Sequence, residues 1–313
     1  MTALSILRGG PLSLLQDRGR FGRADLGLST GGPMDPVAAG LANALLENDG
    51  GATLIEASFG GLELRAEASL QLAVTGAELP LELNGEPCAL WSVLELAAGD
   101  LLRLHHPSRG CRNYLAVRGG FAVTPSFGST ATVLREGIGG ISGKALQAGD
   151  RLEVRPAAPI GRRWLPPDQR PAYPRRLTLR VVLGYQHRAF SDDARETLFS
   201  SAYAVSQRSD RMGYRLEGPP VSCEIDGVLS EGIAPGAIQI PADGQPIVLL
   251  RDRQTIGGYP KIGSALSQDC SQLTQLRPGD TVNFAPIPLQ AARRALHLSR
   301  VVEEARRFEA LGS

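Results

Sequence analysis

Lysine is almost missing from this chain. Of its 33 basic residues only Lys144 and Lys261 are lysines, and each closes a glycine-rich run, Gly-Gly-Ile-Ser-Gly-Lys144 and Gly-Gly-Tyr-Pro-Lys261. An ammonium can give up its proton on burial where a guanidinium cannot, so an otherwise arginine-committed chain draws attention to these two positions. Lys144 reads as a surface residue. Lys261, set among polar neighbours, reads either as another surface lysine or as a functional cation.

Other shortages exclude whole classes. Long runs of one charge are absent and the net charge is +1, which argues against a nucleic-acid groove or a membrane-binding patch and for a small-molecule substrate. The four cysteines stand far apart without a Cys-x-x-Cys pair, so neither a zinc site nor a disulfide framework is expected. Only four histidines occur; His105 and His106 are adjacent, without metal-ligand spacing, and no metal is expected. The sequence has no basic-then-apolar leader and no apolar run near the roughly 18 residues of a membrane helix, so a cytoplasmic location is expected. The three methionines precede Thr, Asp and Gly, never Lys, so the chain is not expected to carry biotin itself.

Two strings fail closer inspection. Residues 137–144 suggest a phosphate loop, but five residues instead of four separate Gly137 from Gly143, and Ala145 replaces the Ser or Thr that would hold magnesium. Gly27-Leu28-Ser29-Thr30-Gly31 has the pattern of a nucleophile elbow without a buried strand before it or a helix after it.

Turn formers are plentiful. With 37 glycines and 22 prolines, short elements separated by many turns are expected, and strand-like runs alternate with turns over residues 52–154. One turn recurs: an apolar residue, then Gly99-Asp100, Gly149-Asp150 or Gly279-Asp280, then a strand-like run. The fold class is mainly β, with a few helices. The first helix begins at Asp35-Pro36, an N-cap followed by proline, and Asp35 therefore has a capping role besides any catalytic one. Glu56 interrupts an apolar run and reads either as pointing into a cleft or as part of a solvated strand face, the second being preferred. A short helix is expected near residues 191–199. The expected domains are 1–155 and 175–288, joined by a proline-rich linker at 156–174 and followed by a terminal helix, 289–313, with an apolar stripe of Leu298, Val301, Ala305 and Phe308.

Residues 229–261 form the densest candidate site. An extended piece at 237–241, a turn at 242–244 and an apolar strand at 247–250 lead into polar residues and then Gly257-Gly258-Tyr259-Pro260-Lys261. A glycine pair lets backbone amides approach a ligand closely.

Six segments in order now carry a resemblance: Gln16-Asp17-x-Gly19-Arg20; Gly31-Gly32-Pro33-Met34-Asp35; Tyr114-Leu-Ala-Val117 with Gly119-Gly120; Ser209-Asp210-Arg211-Met212-Gly213; Glu231-Gly232 to Gln239-x-Pro241; and Asp243-Gly244-Gln245-Pro246 to Lys261. Together they resemble the biotin-dependent carboxyltransferase family, also called allophanate hydrolase subunit 2. That family includes the C subunit of bacterial 5-oxoprolinase and the carboxyltransferase region of urea carboxylase. The resemblance implies two cyclophilin-like β-barrel domains in tandem. It also implies an ATP-dependent lactam hydrolase that is active only in a complex with A-like and B-like 5-oxoprolinase proteins, with ATP shared with or bound by a partner. Carboxyl transfer to urea or another small amide, and a regulatory role antagonising a kinase inhibitor, are the alternatives. Arg18 and the pair His187-Arg188 depart from the family pattern and bear on substrate identity.

Such chemistry needs a polarised carbonyl and a stabilised oxyanion. The roles this implies are Lys261 and Arg211 as electrostatic clamps and Asp35 or Asp210 as proton acceptor. Asp17, Arg20, Gln239, Gln245, Gly257, Gly258 and Tyr259 would bind or orient the substrate. A structural ion pair is the plain alternative for Asp210 and Arg211.

Overall fold

A computed structural model describes residues 2–225 and 227–311. The chain is mainly β and divides into two compact units. The first comprises residues 2–21, 31–173 and 306–311; the second comprises Gly22–Thr30 and Pro174–Ala305.

The first unit is built on two sheets. One has six strands, in the order Arg151–Glu153, Ala3–Gly9, Leu62–Ala66, Leu101–Leu104, Leu81–Leu83 and Glu86–Cys88. The other has five, in the order Leu12–Gln16, Leu54–Ser58, Arg109–Val117, Leu70–Glu78 and Val93–Leu96. Leu4, Leu64, Val74 and Leu115, all fully buried, belong to one apolar cluster drawn from both sheets. Each such side chain contributes about 1.5–3 kcal/mol.

The five-stranded sheet is covered on its other side too. Helix α1, Pro36–Leu45, lays Leu41 and Leu45 against Leu54, Tyr114 and Ala116 in a second cluster. Alternation along a strand explains why residues 54–58 are all buried: Ile55 and Ala57 enter one cluster and Leu54 the other. Glu56 therefore lies on the helix side of the sheet and is 1% exposed, not on a solvated face. Its Oε2 accepts from the Met34 amide at 2.7 Å and the Tyr114 hydroxyl at 2.9 Å.

The recurrent Gly-Asp turn has a uniform construction. Gly99, Gly149 and Gly279 all adopt positive φ, between 88° and 95°. Each following aspartate accepts the amide three residues earlier: Ala97 to Asp100 at 2.7 Å, Gln147 to Asp150 at 2.8 Å, Arg277 to Asp280 at 2.9 Å. A strand follows each turn.

Residues 156–174, read as a linker, pair with the first unit instead. Arg163–Trp164 forms a short strand with Glu309–Ala310, and Leu165 and Tyr173 are buried in the cluster beneath α1. Proline enforces extended backbone here, and that backbone still supplies core residues.

The second unit is a closed seven-stranded barrel. Its strands run around in the order Arg176–Leu183, Lys261–Ala265, Ala237–Gln239, Ile247–Leu249, Gly213–Glu217, Ala202–Val205 and Thr281–Pro286. All neighbours are antiparallel except Arg176–Leu183 and Thr281–Pro286, which are parallel. Helix α2, Asp192–Ser200, is capped by the Ser191 hydroxyl, and α3, Ser267–Leu273, follows the strand Lys261–Ala265. Helix α4, Leu289–Ala305, stops short of the terminal helix read over 289–313. Two bonds to Gln169, from the Arg306 Nε and the Arg307 amide, anchor the chain as it leaves the helix. Leu298 and Val301 on α4 stay exposed, whereas Phe308 packs in the first unit with the Arg163 guanidinium 5.1 Å above its ring. Residues 312 and 313 of that reading lie outside the described residues.

Candidate functional site

A cavity of about 390 Å³ opens in the second unit. It is lined by residues of four short strands, Gly213–Glu217, Ala237–Gln239, Ile247–Leu249 and Ile256–Gly257, together with adjoining loops. Its size lies within the range of roughly 300–1,000 Å³ typical of small-molecule sites. Ile233, Ile247 and Leu249 form an apolar floor. Asp210, Arg215, Gln239, Arg253, Gln254 and Tyr259 supply polar groups around it.

The strand geometry explains why Gln239 reaches this space. Ile238 pairs with Gly263 while Gln239 pairs with Lys261, so the ladder slips by one residue between them. Such bulges re-aim side chains and are frequent beside active sites. Gln239 is 5% exposed, yet its side-chain amide has no hydrogen-bond partner among the described residues. Gly257 makes room for it: a Cβ there would stand 3.1 Å from Gln239 Nε2 and 2.6 Å from Ile233 Cδ1.

Asp210 is oriented by backbone donors. Its Oδ1 accepts from the amides of Met212 at 2.8 Å and Gly213 at 3.2 Å, and it makes no ion pair with Arg211. Arg211 turns away into a buried, two-pronged pair with Asp252, at 2.8 and 3.0 Å. Gln245 clamps the amide and carbonyl of Gly218 at 2.9 and 3.1 Å and is not part of the cavity wall.

Lys261 belongs to a neighbouring cluster. Its Nζ pairs with Glu231, which also accepts from the Tyr185 hydroxyl and, at 2.8 Å, from Gln186 Nε2. Gln186 in turn accepts the Lys261 amide at 2.7 Å. Lys261 and then Tyr185 hold the Glu231 carboxyl below the usual glutamate range, and the bond to Glu231 pushes the Tyr185 phenol up.

Asp17, Arg20 and Asp35 lie in the first unit. Asp17 accepts from the Gly19 amide at 2.9 Å and the Thr130 amide at 2.8 Å. Arg20, 2% exposed, donates to the carbonyls of Ser126, Ser129 and Ala131. The two thus pin the loop over residues 126–131. Asp35 caps α1 through the Ala38 amide at 3.2 Å and accepts the Tyr173 hydroxyl at 3.0 Å.

The structure therefore brings together Asp210, Gln239, Gly257, Gly258 and Tyr259 around one cavity, with Lys261 beside Glu231 in the adjoining cluster. Sequence reasoning missed Arg215, Arg253, Tyr185, Gln186 and the role of Glu231. Arginine abundance hid the first two. Glu231 stands inside one of the six segments, and its pairing with Lys261 becomes visible only when the strands Glu231–Gly232 and Ile256–Gly257 are seen to pair. Among the described residues no cluster of three or more His, Cys, Asp or Glu is placed to hold a metal, and no helix is long and apolar enough to cross a membrane.

Comparison with known proteins places these features. Residues 26–286 match the family model described as carboxyltransferase domain, subdomain A and B. The chain is 36% identical over 298 residues to the C subunit of 5-oxoprolinase from Escherichia coli, covering 93% of this chain and 94% of that protein. It is 34% identical to the corresponding 5-oxoprolinase protein of Haemophilus influenzae, covering 90% of each. Among solved structures, the crystal structure of the urea amidolyase of K. lactis superposes with a TM-score of 0.91 at 25% identity, over 99% of this chain and 20% of that much longer one.

Proposed function

Because the chain belongs to the carboxyltransferase domain family of subdomains A and B, we propose that it is the C subunit of an ATP-dependent 5-oxoprolinase, opening the lactam of 5-oxo-L-proline to L-glutamate. The observation that carries this reading is the correspondence with 5-oxoprolinase C subunits over nearly the whole of both chains, where the match to urea amidolyase takes up a fifth of the longer protein. The word subunit in those relatives' names supports partners, here proposed as A-like and B-like 5-oxoprolinase proteins in a cytoplasmic complex.

In this reading the cavity of the second unit receives the lactam. Asp210 accepts a proton from the water that attacks the ring carbonyl and returns it to the ring nitrogen as the C–N bond breaks, giving the free amine of glutamate. The Gln239 amide and the Tyr259 hydroxyl orient the ring, and the backbone of Gly257 and Gly258 approaches its oxygen. Lys261 and Arg211 act one layer out: Lys261 fixes Glu231, and Arg211 fixes Asp252 beside Arg253. ATP is assigned to a partner. The glycine run at residues 137–144 does not suit a phosphate, since no helix follows it and a Cβ on Gly139 would fall 1.9 Å from the Ala131 carbonyl oxygen.

Biotin-dependent carboxyl transfer to urea or another small amide is the second reading, favoured by the superposition on urea amidolyase. Glutamate release from 5-oxoproline and ATP, measured with this chain and its A-like and B-like partners, with and without avidin, separates the two. Activity that requires this chain and ignores avidin supports the first; loss with avidin overturns it.

A further inference from the structure

The cavity wall carries an unusual charge balance. Arg215 and Arg253 are its two cations and Asp210 its single acid, and among the described residues no carboxylate lies within ion-pairing distance of either arginine. Arg253 is nonetheless held still: its Nε donates to the Ile233 carbonyl at 3.0 Å and its Nη1 to the Leu250 carbonyl at 3.2 Å. An oriented guanidinium whose Nη2 has no partner among the described residues can donate to a carboxylate oxygen. Burial first, and then the adjacent Arg251, push the Arg253 pKa down, as expected where positive charge is locally uncompensated.

A second group points the same way. Gln239, nearly buried and without a partner for its amide, lines the same space and can both donate to a carbonyl and accept from an N–H. Its amide atoms face the open cavity instead of being sealed in the interior, so they are available to a ligand that supplies both. Between the two polar groups lies the apolar floor of Ile233, Ile247 and Leu249.

We infer that this cavity is a carboxylate-selective subsite in which Arg253 binds the carboxylate of a small, compact amide or lactam acid, Gln239 reads its amide edge, and the apolar floor takes its carbon frame. Arg253 is thus a specificity-determining residue, and an uncharged amide such as urea lacks the group it recognises. This inference rests on reading the cavity as the substrate site.

The test uses the full chain and calorimetric titration with four probes: 5-oxoproline, its uncharged carboxamide, 2-pyrrolidinone and N-carbamoylglycine. The expected result is that 5-oxoproline binds at least tenfold more tightly than its carboxamide or 2-pyrrolidinone, and that Arg253→Gln erases the difference while Arg253→Lys keeps part of it. Thermal unfolding of both variants controls for folding, and the comparison of charged with uncharged probes on the unaltered chain needs no variant. Equal binding of 5-oxoproline and its carboxamide would overturn the inference and leave the oxoprolinase reading standing. Binding of N-carbamoylglycine through Arg253 without binding of 5-oxoproline would support the inference and overturn the oxoprolinase reading. Failure of every acid probe to bind would overturn the subsite, leaving the glutamate-release assay to decide the reaction.

Discussion

Arg211 and Asp252 share two hydrogen bonds at 2.8 and 3.0 Å, with side chains only 6% and 7% exposed. Removing one partner strips the other buried charge of this two-pronged pair. Arg211→Ala is expected to destabilise the second unit by about 3–5 kcal/mol, read as a lower urea midpoint, with a smaller loss when Asp252→Ala is added. An unchanged midpoint would show that the pair is dispensable.

Asp35 sits where two demands meet, a helix cap and a buried tyrosine partner. Asp35→Ala removes both, and a loss of about 1–2 kcal/mol is expected in thermal unfolding. Because the capping role accounts for Asp35 locally and proton transfer is assigned to Asp210, the same variant, if folded, should keep its rate of glutamate release.

Alkaline pH probes the same region. Burial, and then Glu56 for Tyr114 and Asp35 for Tyr173, push both phenols well above their ordinary value of 10.0. The folded state therefore holds these protons longer than the unfolded chain. Their contribution to stability is complete below pH 10 and is lost as pH rises beyond it. Unfolding monitored from pH 9 upward should show stability falling as tyrosinate absorbance rises, whereas early ionisation without unfolding would contradict the burial.

Lys261→Ala should release Glu231. Its carboxyl titrates below the ordinary 4.5 because Lys261 and Tyr185 hold the charged form. The contribution of this cluster is present above that ordinary value and fades as pH falls through the lowered one. In the variant, the Glu231 side-chain carbon resonance should titrate at higher pH than in the parent chain.

Gly257→Ala adds a carbon 2.6 Å from Ile233 Cδ1 and 3.1 Å from Gln239 Nε2, both ends of side chains that can yield. A stability loss of about 1–3 kcal/mol is expected, with weaker 5-oxoproline binding because Gln239 is displaced. Full affinity at unchanged stability would mean that the amide does not read the ligand.

Local signals were legible in the sequence. Asp35-Pro36 marks the start of α1, and the three Gly-Asp turns each precede a strand, because capping and turn chemistry depend on residues a few positions apart. The stretch at residues 229–261 likewise supplies much of the cavity wall. Glu56 was misleading because its neighbours along the chain say nothing of Met34 and Tyr114, which bury it. Arg253 was hidden for a similar reason: its orientation depends on the Ile233 carbonyl, twenty residues earlier, and its charge stands out only because no carboxylate among the described residues lies within ion-pairing distance.

Residues Gly22–Thr30 belong to the second unit although the remainder of that unit begins at Pro174. The Ser29 hydroxyl donates to the carbonyls of Asp252 and Arg253, 223 and 224 positions downstream. At roughly 5–20 residues per second, a ribosome needs about 10–45 seconds to span that gap. Throughout that interval an early-made segment waits for a binding place that has not yet been synthesised. The second unit is therefore completed late in translation, and expressing residues 174–305 alone would yield it without its earliest-made piece.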